Sequence, residues 1–228
     1  MLTKEINDIF MDSEIHGWVL EPDAKRLLSN AGVEVPRFIW TDDPYEGIRF
    51  SNEIGYPVVA KIVSPEVLHK TEIGGVIAGI NDDEALKNAF QRFCTIKGFT
   101  GVLVEESLSG IELILGAKID YQFGPVILMG IGGTAVEIYN DMTMRMAPIE
   151  KKDVLSMVQG LQARKLLEGF RGTHPVNIPE LTRMMVTFSK FAVEFEGYID
   201  TIDLNPVICS SDRCVVADAR IILKSEAL

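Results

Sequence analysis

Cysteine is scarce in this chain: three in 228 residues, at Cys94, Cys209 and Cys214. So sparse and odd a set excludes a disulfide framework and fits a reducing cytoplasm, where the protein is expected to reside. Cys209 and Cys214 flank "SSDR", so they should face each other across a hairpin. Two thiolates are too few for a zinc site, which leaves an apolar or edge role. Long apolar runs are missing as well, and none approaches the ~20 residues of a membrane span. The N-terminus, "MLTKEINDIFMDSEIHGW", lacks the basic start and apolar stretch of a signal peptide. Basic residues are outnumbered, 22 against 33 acids, giving a net charge of −11 and a pI near 4.8. That deficit argues against nucleic acid or an anionic membrane as a partner. An anion such as a phosphate must then be held by a few local lysines, arginines and backbone N–H groups.

What is present is an ordinary globular composition, 47% hydrophobic and 24% charged. The first part alternates helices and strands. "EPDAKRLLSNAG" starts with Pro22, sets Ala24, Leu27, Leu28 and Ala31 on one face, and stops at Gly32. "VEVPRFIW" reads as a strand, and Pro36 places it at a sheet edge. "DDPYEGIRFSNEIG" repeats the proline-start, glycine-stop helix. "YPVVAKIV" and "GGVIAGI" are strands, and "DDEALKNAFQRFCTIKG" is a helix by the spacing of Ala85, Leu86, Ala89, Phe90 and Phe93. From Gly101 the texture changes to strands: "GVLVEES", "IELILGAKI", "GPVILMGIGG", "TAVEIYN" and "MTMRMAP". Helices around 151–168 and 179–196 and short C-terminal strands complete the chain. The expected architecture is α+β in two lobes, residues 22–99 and residues 100–228, with the arm 1–21 joined to the second.

Four stretches carry chemistry. Lys61 interrupts the apolar strand "PVVAKIV". Lysine is almost never buried unpaired, so it belongs either to an edge strand with its amine in solvent or to a binding site. The strand runs into "SPEVLHKTEIGGV", a polar loop closed by Gly74 and Gly75. Such a loop can lay N–H groups against phosphate oxygens while Lys61 neutralises their charge. His69 sits in that loop, where a neutral imidazole is a good phosphoryl acceptor; otherwise it is an exposed loop histidine. Asp203 and Asn205 in "DLNP" and Asp218 in "DAR" can gather hard oxygen ligands for Mg²⁺, or simply shape turns. Glu105, Glu106 and Glu112 can hold a ribose or face solvent. "GIGGTA" (130–135) fits a dinucleotide fingerprint, but no helix follows and "PIEKKD" is no strand end. A glycine-rich turn between strands is expected instead.

In this order, these pieces resemble the ATP-grasp subunits of the NDP-forming acyl-CoA synthetases, in particular the β subunits of ADP-forming acetate–CoA ligases. The resemblance runs along nearly the whole chain: "AKRLLSNAGVEVP", "EIGYPVVAKIVSPEVLHKTEIGGV", "GVLVEESLSGIELILGAKIDYQFGPVILMGIGGTAVEIYND", "RMAP", "FRG", "DLNP" and "VADARI". It implies an ATP-grasp fold whose two lobes enclose a nucleotide. It also implies a reversible conversion of acyl-CoA, ADP and phosphate to acid, CoA and ATP, shared with an α subunit in an α2β2 heterotetramer. The α subunit would bind CoA and form an acyl phosphate, and His69 would relay the phosphoryl group to ADP. Lys61 matches the lysine that contacts nucleotide phosphates, and Asn205 and Asp218 match metal ligands. Asp203 stands where many ATP-grasp enzymes have glutamate. Arg145, in a "DxxxR" stretch, would face phosphate, and Glu112 would contact ribose. Two other functions use the same residues differently. One is an ATP-grasp ligase joining a carboxylate to an amine, which needs no phosphohistidine. The other is a non-catalytic nucleotide-binding regulatory subunit.

Overall fold

The structure is a computed structural model that describes residues 4–133, 141–169 and 174–225. The chain divides into two compact units, Pro36–Leu108 and Met1–Val35 with Ser109–Leu228.

The smaller unit is a four-stranded antiparallel sheet, ordered β2 (Phe38–Thr41), β5 (Gly101–Glu106), β3 (Val58–Val63), β4 (Val76–Ile80). Strand alternation sends Val58, Ala60, Ile62, Val102 and Val104 to one face, where they pack with Ile48, Leu86, Ala89, Phe90 and Phe93 from helices α3 (Pro44–Ile54) and α4 (Asp83–Phe93). Both helices start on aspartates. Asp43 accepts from the Tyr45 N–H and Asp82 from the Ala85 N–H, at 2.9 and 2.8 Å. Lys61, Leu103 and Glu105 project from the opposite face.

The larger unit is a seven-stranded sheet in the order β1 (Trp18–Val19), β11 (Arg220–Leu223), β9 (Ile199–Cys209), β6 (Ile111–Asp120), β7 (Gly124–Ile131), β8 (Met142–Met146), with β10 (Cys214–Val216) also paired to β9. Helices α1 (Lys4–Glu14), α2 (Glu21–Asn30), α5 (Lys151–Gly160) and α6 (Ile178–Glu194) belong to it. Leu113, Leu115, Ala117, Ile127 and Met129 share one core with Val154, Met157, Met185, Phe188 and Phe191.

The division differs from the sequence expectation of 22–99 and 100–228. Helix α2 sits with the larger unit because Ala24, Leu27 and Leu28 bury in that core. β5 sits with the smaller one because it inserts between β2 and β3. The change of texture at Gly101 thus marks a strand and not a lobe boundary. Ala31, expected on the apolar face of α2, lies just past the helix and is exposed. The first strand is short, but it is an edge strand, as Pro36 suggests. The helix expected over 151–168 stops at Gly160. Beyond it the Asp141 carboxylate accepts from the Gln162 and Ala163 N–H groups, both at 2.8 Å, and turns the chain into a short 3₁₀ segment, Arg164–Leu166. The strand expected at 134–140 lies outside the described residues.

Cys214 pairs directly with Cys209 across the β9–β10 hairpin, and both are buried. A hydrogen bond to Cys214, and then burial, push the Cys209 thiol up, in keeping with a place in the core. Among the described residues no helix is long and apolar enough to cross a membrane.

One feature of α2 has no counterpart in its apolar pattern. Lys25 Nζ lies 2.9 Å from Glu21 Oε1, with side-chain exposures of 0% and 1%. Removing one partner of such a pair leaves an uncompensated buried charge, whereas replacing both with apolar or neutral groups of similar size is far milder. Lys25→Ala is therefore expected to cost ~3–5 kcal/mol, read as a lower urea midpoint. Glu21→Gln/Lys25→Met should recover most of that loss.

Candidate functional site

In the smaller unit, β3 is an inner strand, so Lys61 has no open edge to reach past. It lies opposite Leu103 on β5 and Val76 on β4. Glu105, opposite Val59, shares its face one diagonal away. The Lys61 ammonium is 2.8 Å from Glu105 Oε1, with side-chain exposures of 7% and 4%. The lysine in the apolar strand is thus balanced by an acid in an equally apolar one, "GVLVEE". Of the three glutamates weighed for a ribose, two are used inside the protein. Glu105 holds Lys61. Glu106 accepts from the Arg37 backbone N–H at 3.0 Å and its guanidinium at 3.3 Å, fixing the approach to β2.

The loop between β3 and β4 is pinned at both ends. At its start the Ser64 hydroxyl donates to the Lys97 carbonyl at 2.9 Å, and Glu66 forms an ion pair with Lys97. The Thr100 N–H and hydroxyl both donate to the Val63 carbonyl, at 2.9 and 3.0 Å. At its end a 3₁₀ turn, Thr71–Ile73, is closed by Gly74 at φ +65°. The Gly74 N–H donates to the Thr71 carbonyl at 3.1 Å and the Gly75 N–H to the Lys70 carbonyl at 2.7 Å. Where the sequence suggested N–H groups facing phosphate, in this structure both donors close the turn. Gly75 is also needed for space, since a Cβ there would lie 2.6 Å from Ile62 Cγ2. Between the pins His69 projects with its side chain 57% exposed, its Nδ1 3.9 Å from Glu72 Oε1.

In the larger unit, β9 carries Asp203 and Asn205, and Asp218 lies in the connection from β10 to β11. The Ala217 and Asp218 N–H groups donate to the Pro206 carbonyl, at 3.0 and 3.4 Å, which brings Asp218 beside Asn205. Asp203 faces Arg220 on β11. Burial pushes its carboxyl above the usual range, and Arg220 works against that shift. Among the described residues no group of three or more His, Cys, Asp or Glu could hold a metal. Two carboxylates and an amide oxygen nevertheless fit Mg²⁺, which takes few protein ligands and fills its octahedron with waters and phosphate oxygens.

Glu112, on β6, is exposed. Its carbonyl accepts from the Gly132 N–H at 2.6 Å, and a Cβ on Gly133, at φ +88°, would lie 3.6 Å from its Oε2. The glycine segment and Glu112 are thus neighbours. The last two residues of "GIGGTA" lie outside the described residues. Arg145 is placed differently from the expectation of a phosphate contact. It pairs with Ile127 on the helix-covered face, and its guanidinium donates to Ser156 Oγ of α5 at 2.8 Å and to the Met144 carbonyl at 2.7 Å. Sequence reasoning missed two partnerships: Glu105 with Lys61, and Glu72 with His69. A glutamate ending the run "GVLV" was the available signal for the first.

Comparison with known proteins matches residues 11–223 to a family described as an ATP-grasp domain. The β subunit of ADP-forming acetate–CoA ligase I from Pyrococcus furiosus is 40% identical over 213 residues, covering 90% of this chain and 91% of that one. Two solved structures of the dinucleotide-forming acetyl-coenzyme A synthetase 1 of Ca. Korarchaeum cryptofilum are similar. One, with coenzyme A, Ca-AMPCP and HgCl⁺, has a TM-score of 0.89 at 37% identity, covering 96% of this chain and 99% of that one. The other, with coenzyme A and Mg-AMPPCP, has its phosphohistidine segment pointing towards the nucleotide binding site. Its TM-score is 0.84 at 36% identity, with the same coverage of 96% and 99%.

Proposed function

Because the chain belongs to the ATP-grasp family that includes the β subunits of ADP-forming acetate–CoA ligases, we propose that it is the nucleotide-handling β subunit of such an acid–thiol ligase. With an α partner that binds CoA, it makes ATP from acyl-CoA, ADP and phosphate, reversibly. His69 is the relay. An imidazole nitrogen attacks phosphorus, a P–N bond forms, and the bond to the donor breaks with its electron pair leaving on the donor. A terminal phosphate oxygen of ADP then attacks the same phosphorus, and the P–N electron pair returns to the ring. Lys61, held by Glu105, neutralises nucleotide phosphate charge, and Glu112 serves the ribose. Asn205, Asp218 and Asp203 would hold Mg²⁺, which when bound supplies neutralisation of charge on the transferring group.

The observation that carries this reading is an exposed imidazole on a loop pinned beside a buried lysine, in a chain that matches a β subunit over 90% of its length. The test is to co-purify the partner chain and assay ADP- and phosphate-dependent cleavage of several acyl-CoAs. Absence of cleavage with every partner and acyl-CoA would sink the proposal. In the same assay Asn205→Ala and Asp218→Ala should each lower Mg²⁺-dependent turnover by ~100-fold or more, since a metal contributes several kcal/mol to charge stabilisation. Their circular dichroism should be unchanged. Full activity in both variants would remove these residues from the site.

A further inference from the structure

The loop that carries His69 also carries a carboxylate placed to orient it. His69 stands just ahead of the 3₁₀ turn Thr71–Ile73, before its N-cap Lys70, and Glu72 lies within the turn, three residues on. The backbone fixes the turn that carries Glu72: Gly74 takes the left-handed conformation, and the Gly75 N–H donates to the Lys70 carbonyl. The nitrogen facing the acid is Nδ1, at 3.9 Å from Glu72 Oε1, about an ångström beyond a hydrogen bond. Both side chains are exposed, at 57% and 77%, so rotation about their χ angles can bring the pair within hydrogen-bond distance. Lys70 is the other charged group between the two, and Arg92 of α4 packs against Gly74. Which imidazole nitrogen is free to react is set by the hydrogen bond the other one makes.

We propose that Glu72 is the positioning residue for His69: its carboxylate accepts the Nδ1–H hydrogen bond and leaves Nε2 as the phosphoryl acceptor. This rests on the relay proposed above. The Nε2 lone pair attacks phosphorus, the P–donor bond breaks with its electrons leaving on the donor, and the Nδ1 proton stays on the ring. The positive charge that develops on the imidazole faces the Glu72 carboxylate. Acid and histidine lie on one short segment, so the orienting group travels wherever the loop goes.

The experiment incubates the full chain with γ-labelled ATP and Mg²⁺ and identifies the phosphohistidine isomer by ³¹P NMR. The wild-type chain should carry phosphate on Nε2 alone. Glu72→Ala should label ~10- to 100-fold more slowly, as for loss of a partner that orients a histidine ring, and should give some Nδ1 isomer. Glu72→Asp should restore the Nε2 product, and ADP affinity should stay constant throughout. Glu72 is 77% exposed, so these variants should fold. Wild-type labelling on Nδ1, or Glu72→Ala labelling on Nε2 at the wild-type rate, would overturn the assignment of Glu72 and leave the relay standing. No histidine label on the wild-type chain would overturn both.

Discussion

His69→Ala should abolish the overall reaction while leaving ADP binding intact. With γ-labelled ATP and Mg²⁺ the wild-type chain should take up phosphate that is lost in acid and kept in base, as a phosphoramidate behaves, and the variant should take up none. The selectivity follows from the site. His69 is 57% exposed on its loop, whereas Lys61 and Glu105 lie buried in strands. Deleting the imidazole therefore removes the covalent step and no part of the scaffold. An α partner supplied with acyl-CoA and phosphate should still form its acyl phosphate. The assay also separates the rival functions: a carboxylate–amine ligase of the same fold would turn over without acid-labile labelling, and a regulatory subunit would bind ADP and never label. Normal ATP synthesis by His69→Ala would make the loop histidine a bystander.

Lys61→Met should have two effects that a second variant can separate. Removing the ammonium leaves Glu105 buried without its counter-charge, which costs ~3–5 kcal/mol of stability. It also removes a charged contact to phosphate worth ~1.5–3 kcal/mol, or roughly 10- to 150-fold in affinity for ADP and ATP. Adenosine carries no phosphate, so its affinity should change little. In Lys61→Met/Glu105→Leu the buried charge is gone, and most of the stability should return while the phosphate affinity stays low. Calorimetric titration of ADP, ATP and adenosine, alongside urea unfolding, gives both numbers. Equal weakening for all three ligands would mark Lys61 as structural.

The elements that sequence disclosed best are those whose signals are local. Prolines and aspartates at Asp43–Pro44 and Asp82 start helices where the cap chemistry requires, and Lys61 betrays itself as a charge in a run of Val, Ala and Ile. What sequence hid depends on partners far along the chain. Lys25 and Glu21 are four residues apart, which on a helix ordinarily reads as a surface pair, and only the packing around α2 reveals that both are buried. The placement of β5 between β2 and β3 joins residues from 38 (Val63 with Gly101) to 67 (Phe38 with Glu105) positions apart. The glycine pair was legible as a special turn, but whether its N–H groups face a ligand or the turn itself is decided by the closure on Thr71 and Lys70. Arg145 was legible as a motif residue, yet its strand face is set by the register with β7.

The pinning of the β3–β4 loop sets a geometric limit on the relay. His69 stands six residues after Val63 and six before Gly75, the midpoint of the segment and so its point of greatest travel. Gly75 is tied to the Ile62 N–H at 2.9 Å, which places the two feet of the loop side by side. Six residues fully extended span at most ~20 Å. With both feet fast, the imidazole is thus confined to a sphere of about that radius around the end of β3, whatever the loop's flexibility. A phosphoryl donor inside that sphere can be served by the loop alone. One outside it can be reached only if a foot detaches, and the hydrogen bonds of Val63 and Gly75 would then be the ones that break first.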